Sequence, residues 1–454
     1  MSDPDTAPIF ARPSSRVADQ QRVKLAWANS VGWVSVAVAI VGYIAAYTVG
    51  RSSILGILLA MAVVAVSVPW FRRIARRTPD IALAGLLRLS LGLKLIATLP
   101  RFELRQDSRD YYRAGSSLAD HFRSFDFVVD PGQSVPGTGT VRYMTGLVEV
   151  VTLEDEFATF VVFSLVGFAG VVFFLQAFSL ALPDVDIRRY ALLVLLWPTL
   201  IYWPSSIGKD AVMIFGLGAV AYGLARLMQG RLTGGLFAVP GLLICGLVRP
   251  HVALIAVFAA VAALTLRSPR QGAGSTITKM VVIGALLIGG AVASNAVEGI
   301  FDIDGLNPTG VSRALDIANQ RSAQGGSSFS AARIDGVSDF PMGLITVLFR
   351  PFPTEAGSVA MVLTSLEGLI LAGLTLAAIP RVIAAVRHVR REAYVAYAAG
   401  FSLVFVYLFS ALGNFGILAR QRSMTLPLVL VIAALPTARE RVQHHRKMIR
   451  AEES

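Results

Sequence analysis

The residues able to do chemistry in this 454-residue chain sit at a few polar interruptions of an otherwise apolar sequence. The first interruption reads Arg101-Phe-Glu-Leu-Arg-Gln-Asp-Ser-Arg-Asp-Tyr-Tyr-Arg-Ala-Gly115. Coiled as a helix, it puts Asp107, Tyr111 and Gly115 at i, i+4 and i+8, on one face. A carboxylate just beyond a membrane helix, among arginines, stays ionised and can take the proton of an attacking hydroxyl. Asp107 is the first candidate for such a base and Asp110 the second, with Tyr111 one turn away to orient an acceptor. The competing reading is a solvated loop helix in which Asp107 pairs with Arg105 or Arg109.

The same loop continues through Asp130-Pro-Gly-Gln-Ser-Val-Pro-Gly-Thr-Gly-Thr-Val-Arg-Tyr143. Its Gly and Pro residues suit a backbone that approaches a ligand closely, or an ordinary ordered loop. Arg142 and Tyr143 are candidates for contacts to a phosphate and a sugar ring. Further on, Trp203-Pro-Ser-Ser-Ile-Gly-Lys-Asp210 breaks an apolar run. Pro and Gly leave the amides of the next helix free, and Lys209 beside them makes a site for an anion. A snorkelling Lys209 paired with Asp210 is the alternative. Arg249-Pro-His251 is a second break, Arg350-Pro-Phe-Pro353 with Glu355 a third, and Asn414 to Arg422 a fourth. These breaks put Lys209, Arg249, Arg350, Arg420 and Arg422, with His251, on one side of the membrane. Guanidinium forks suit phosphate, so the expectation is a phosphate or pyrophosphate grip; the rival is that each cation anchors its own helix at the headgroups. The amide- and hydroxyl-rich stretch Asn319-Gln-Arg-Ser-Ala-Gln-Gly-Gly-Ser-Ser-Phe329 could hydrogen-bond sugars or be a plain polar loop.

Asp107-Ser-Arg-Asp-Tyr-Tyr-Arg-Ala-Gly115, placed after an early helix, resembles the D-x-x-x-Y-x-x-x-[AG] start of the first outer loop in GT-C membrane glycosyltransferases, nearest the protein-mannosyltransferase-like family 39. The resemblance covers mainly residues 85–260 and lies in helix layout more than in residue identity. It implies an acidic base in this loop, a sugar donor on a polyprenyl phosphate, and inversion as the acceptor hydroxyl attacks. Family 39 commonly carries an acidic pair here; Gln106 stands before Asp107 instead, which leaves the base open between Asp107 and Asp110. The turn Pro204-Ser-Ser-Ile-Gly-Lys-Asp210 is also similar to sequences in exopolysaccharide polymerases.

Other chemistries lack their residues. The single cysteine, Cys245, excludes an internal disulfide and argues against a thiolate metal site. His121, His251, His388, His444 and His445 form no HExxH or HxxxH pair, and no GxxxxGK[ST] loop is present for ATP. A divalent cation is neither required nor excluded. The net charge of +12 lies largely at helix ends, where it sets topology, so nucleic acid is not an expected partner.

What must hold these residues is a membrane bundle. Charged residues make up 15% of the chain, against about 25% in soluble domains, and 55% is hydrophobic. Apolar runs predict an all-α, polytopic bundle of roughly twelve spans near 31–49, 53–70, 81–99, 157–180, 190–204, 210–227, 234–248, 251–266, 280–298, 357–380, 393–411 and 424–437. The run 81–99 carries Arg88 and Lys94 and could instead lie in the interface. Arg-rich connections, among them Arg72 to Arg77, Arg267 to Lys279 and Arg381 to Arg391, fall on one side and mark it as cytoplasmic. The organisation is then a cytoplasmic tail (1–30), membrane helices (31–100), a first outer loop (101–156), membrane helices (157–298), a second outer segment (299–356), membrane helices (357–437) and a basic cytoplasmic tail (438–454). Both outer segments should be ordered, and the setting is a bacterial inner membrane with both termini cytoplasmic. Transfer from a polyprenyl-phosphate-linked sugar to a glycan or lipid-linked acceptor is the leading expectation. An O-antigen-type polymerase is the second, and a lipid-linked glycan transporter the third. The scarcity of charge within most spans weighs against the transporter.

Overall fold

The computed structural model describes residues 27–76, 82–104, 106–183, 185–266, 273–324, 327–388, 392–437 and 440. The expected tails fall outside these residues, apart from 27–30 and Glu440, as do residues 267–272 of the basic stretch 267–279 and residues 389–391. The described elements are helical: α1 Trp27–Thr48, α2 Ile54–Ala75, α3 Leu83–Glu103, α4 Gln106–Arg123, α5 Thr138–Thr152, α6 Glu156–Ala181, α7 Ile187–Leu196, α8 Pro198–Tyr202, α9 Lys209–Met228, α10 Gly235–Val248, α11 Pro250–Leu266, α12 Ala273–Phe301, α13 Pro308–Ser322, α14 Phe340–Phe349, α15 Val359–Ala377, α16 Ile379–His388, α17 Ala393–Phe409, α18 Phe415–Arg422 and α19 Leu426–Ala434. Their pairing beyond helices is one isolated bridge, Ser328 to Asn414.

Among the described residues, six helices are long and apolar enough to cross a membrane: α1, α2, α3, α6, α9 and the 282–301 part of α12. The roughly twelve expected spans do not reappear as twelve full-length helices. Five apolar helices run only 10–17 residues, and α18 and α19 form a pair bent by 57°. The expected span 190–204 is split because Pro198 lacks an amide and forces Trp197 out of helical geometry, leaving α7 and the one-turn α8. The expected second outer segment holds an apolar helix, α14, that its polar flanks concealed.

The centre of the molecule is α9 packed on α6. Their backbones approach so closely that a Cβ on Gly218 would lie 2.2 Å from the Gly170 carbonyl oxygen. α3 joins this core instead of lying at the interface, and most of its apolar window is buried. Its two charges are accommodated inside: Arg88 donates to Asn29 Oδ1 at 2.9 Å and lies over the Trp33 ring, and Lys94 donates to the Leu200 carbonyl at 2.9 Å. That carbonyl is open because Pro204, four residues on, has no amide proton to give it. Glu367 on α15 accepts from the amide and hydroxyl of Thr199, just after the α7–α8 break. α1 and α2, by contrast, leave large apolar side chains such as Val38, Val41, Leu58 and Val66 exposed, as lipid-facing helices do.

In the expected first outer segment, residues 101–156, α4 and α5 pack as an antiparallel pair. Gly137 N and Thr140 Oγ1 both donate to the Leu247 carbonyl, at 2.8 and 2.6 Å, and dock this pair on the end of α10. In the second, Phe329 N donates to the Gly413 carbonyl and Phe415 N to that of Ser327, while the Phe329 and Phe415 rings stack at 4.1 Å. The polar stretch 319–329 is thereby tied to the start of α18, with Ser322 Oγ accepting from Gly413 N at 3.0 Å and Ser327 Oγ donating to Asn414 Oδ1 at 2.8 Å.

Candidate functional site

Four chain breaks deliver polar side chains to one end of the bundle. After Pro100 the chain leaves α3 and re-enters a helix at Gln106, so Asp107 stands in the first turn of α4 and Tyr111 one turn on. The loop after α8 ends at Gly208, whose φ of +152° suits a residue without Cβ. A Cβ built there would lie 3.7 Å from Arg420 Nη2 and 3.8 Å from the Tyr111 ring, which places Gly208 between those two side chains. Lys209 and Asp210 then open α9 with no side-chain cap on its first amides. Pro250 ends the helical path at Arg249, and Asn414 caps α18 by accepting from Ile417 N at 3.1 Å, which sets Arg420 two turns into the bundle.

Asp210 organises what these breaks bring together. Its carboxylate is almost wholly buried; Oδ2 accepts from Arg420 Nε, and Oδ1 from Arg249 Nη2 at 3.4 Å. Arg420 spans two carboxylates, because its Nη1 donates to Asp107 Oδ2 at 3.1 Å. Arg249 is fixed a second time, through Nη1 to Gln421 Oε1. The two acids differ in access: the Asp107 side chain is 72% exposed and that of Asp210 3%. Asp107 is the carboxylate a substrate can reach. Lys209 makes no hydrogen bond or ion pair with any described residue, and the charged groups around it are Arg249, Arg420, Asp210 and Asp107. Burial holds the Tyr111 phenol above its ordinary range, against the pull of Arg420 and Arg249. Beside the cluster, Arg101 donates to Ser206 Oγ at 2.8 Å and lies over the rings of Tyr202 and Trp203.

Lys209, Arg249 and Arg420 oppose Asp107 and Asp210, leaving one positive charge in excess, reinforced by the positive end of the 20-residue α9. The arrangement can hold one singly charged phosphate next to an accessible carboxylate.

The other expected residues lie elsewhere. Arg422, 1% exposed, donates Nε to the Val347 carbonyl at 3.0 Å and Nη2 to that of Arg350, so it caps the end of α14. Arg350 is paired with Glu355 and lies over Phe329 and Phe415. Arg142 donates to the carbonyls of Pro131 and Gly132, and Tyr143 to that of Phe127, so both hold their own loop in shape. Asp110 is exposed and has no partner among the described residues. His251 opens α11 between the rings of Phe301 and Phe409, next in sequence to Arg249 through Pro250. Asp210, Gln421 and Arg101 were not singled out as site residues; the one sequence signal for Asp210 is its position after Lys209 at a helix start. Among the described residues, no group of three or more His, Cys, Asp or Glu side chains is placed to hold a metal ion.

Compared with family models, curated proteins and solved structures, the chain matches none.

Proposed function

We propose that this chain is a membrane glycosyltransferase of GT-C type, taking a sugar from a polyprenyl-phosphate donor and adding it to a hydroxyl of a glycan or lipid-linked acceptor on the outer face of a bacterial inner membrane. The observation that carries the reading is the accessible carboxylate of Asp107 held by Arg420 beside an unengaged Lys209 at an uncapped helix start. In this reading Lys209, Arg420 and the first amides of α9 bind the phosphate, and Asp107 accepts the acceptor hydroxyl's proton as the hydroxyl attacks the anomeric carbon. The sugar–phosphate bond breaks, and the polyprenyl phosphate leaves onto the cations that already hold it. Asp210 keeps Arg249 and Arg420 in place without meeting the substrate. Asp110, three residues on and about one helical turn away, is the reserve base.

The excess of one positive charge favours a lipid monophosphate over a lipid pyrophosphate, and with it the transferase over a polymerase. Two of the five cations expected for a larger anion, Arg350 and Arg422, are already occupied by Glu355 and backbone carbonyls. The transporter reading rests on a different observation, the buried Lys94 and Glu367 at α8, since ionisable groups at broken membrane helices often mark coupling-ion sites. The test is to give the purified protein in lipid a labelled polyprenyl-monophosphate sugar and, separately, a labelled polyprenyl-pyrophosphate glycan. Release of sugar from the first alone is the expected result. Turnover of the second would make the chain a polymerase. Movement of either across vesicles without turnover would make it a transporter.

A further inference from the structure

The fully buried Glu149 on α5 takes no part in the cluster, yet it sits where α4 is held. α4 and α5 cross at two glycines: a Cβ on Gly146 would meet the Gly115 carbonyl at 3.1 Å, and one on Gly115 would meet Glu149 Oε1 at 2.5 Å. The carboxyl fills the crossing. Ser116 Oγ donates to its Oε2 at 2.6 Å, and Oε1 is buried with no hydrogen-bond partner among the described residues. An ionised carboxylate with one donor and an orphaned oxygen is a poor occupant of such a place, whereas a neutral carboxylic acid fits it. The charged groups around it do not reverse this. Glu154 and Glu156 add negative charge, and Arg123 turns its guanidinium to Glu154 and Asp120 and reaches Glu149 only at its backbone carbonyl, 3.5 Å away. Tyr112, also near, gives its hydroxyl to the Glu154 carbonyl. Burial first, then the two neighbouring glutamates, push the Glu149 carboxyl up to about 8.

We propose that Glu149, in its protonated form, is the positioning residue that seats α4 on α5 and so holds Asp107 and Tyr111 at the cationic cluster. Gly115 and Ser116 lie one to two turns beyond Tyr111 on the same helix, so the seat of the carboxyl fixes the helix that carries both site residues. Ionisation of Glu149 puts an uncompensated charge into the crossing, loosens α4 and withdraws Asp107 from Arg420. The role of Asp107 as a base rests on the proposed function; the seating of α4 by Glu149 does not.

Amide hydrogen exchange of α4 in the purified protein, corrected for the chemical exchange rate, tests it. The folded group titrates at about 8 and an unfolded glutamate at 4.5. The stability it contributes is complete below pH 4.5 and is lost as pH rises towards 8. The opening of α4 should therefore increase about tenfold per pH unit between pH 5 and pH 8 and level off above. In Glu149→Gln, which keeps the shape of the neutral acid, the slope should vanish. In Ser116→Ala, which removes the one donor favouring the charged form, the plateau should move to higher pH. His121 lies at the far end of the same helix, where its ring pairs with Asp126, so His121→Gln serves as the control and should leave the slope unchanged. A parent slope of zero, or an equal slope in Glu149→Gln, overturns the proposal. A slope that disappears in Glu149→Gln, in a protein that never turns over a polyprenyl-phosphate sugar, supports the Glu149 seat and refutes the glycosyltransferase reading instead.

Discussion

Removing the charge of Asp210 is the perturbation that most sharply separates a built cluster from a coincidence of surface cations. In Asp210→Asn the volume is unchanged, but Arg249 and Arg420 lose their shared carboxylate. Arg249 and Asp210 are 8% and 3% exposed at their side chains, so this is the breaking of a buried pair, which costs about 3–5 kcal/mol because a charge is left uncompensated. Arg420 keeps Asp107, and Arg249 keeps Gln421, so the lower end of that range, about 3 kcal/mol, is the expectation. Asp107→Asn removes a partner from the same Arg420 but from the exposed side, and should cost no more than about 1 kcal/mol. Thermal unfolding of both variants in detergent or nanodiscs measures the difference. The expected order is Asp210→Asn well below the parent and Asp107→Asn close to it. Equal stabilities for the two variants would refute the reasoning that one acid is structural and the other presented to substrate.

Four further outcomes follow from the same geometry. Lys209→Ala and Arg420→Ala should each weaken binding of a polyprenyl-phosphate sugar by about ten- to a hundredfold, the loss of a charge-assisted contact of about 1.5–3 kcal/mol; unchanged binding would make them headgroup anchors. Arg422→Ala should bind that donor like the parent but unfold more easily by about 1–3 kcal/mol, since the carbonyls of Val347 and Arg350 lose their donor. Glu440 is held down to about 2, first by Arg189, so it stabilises the folded state above pH 4.5 and loses that effect as pH falls towards 2; Glu440→Gln should lower stability at pH 7 by less than about 1 kcal/mol, given its solvent access, and by nothing below pH 2. Cysteines placed at Ser134 and Ser327 should react with an impermeant reagent from outside intact cells, and protection of either would reverse the orientation.

The apolar runs made most of the helices legible, because an 18- to 25-residue stretch with few charges has little alternative to a membrane helix. The breaks at Pro250 and Gly208 were legible too, since these residues impose their backbone geometry locally, whereas the one at Pro198 lies inside the expected span 190–204. What the breaks assemble was harder to read. Arg420 and Arg422 are alike in type and two residues apart, yet a helix turns about 200° over that interval, so one faces the cluster and the other the end of α14. Asp210 meets Arg249 and Arg420 across 39 and 210 residues of chain, a separation that no local pattern reports. Arg142 looked available because carbonyls in a Pro-Gly loop leave no trace as acceptors in the sequence. Arg88 and Lys94 allowed 81–99 to be read as an interfacial helix because their acceptors, Asn29 Oδ1 and a Leu200 carbonyl left open by Pro204, lie 59 and 106 residues away in the chain.

The central claim is that Asp107 is the base for attack on a lipid-phosphate sugar. Single-turnover transfer from a labelled polyprenyl-phosphate sugar, followed in parent and Asp107→Asn protein at saturating donor, tests it most directly. The account requires donor affinity within about twofold of the parent and a transfer rate lower by about 100-fold or more, the usual contribution of a general base. Parent-like transfer by Asp107→Asn would contradict it, and parent-like transfer by Asp110→Asn as well would remove α4 from the chemistry altogether.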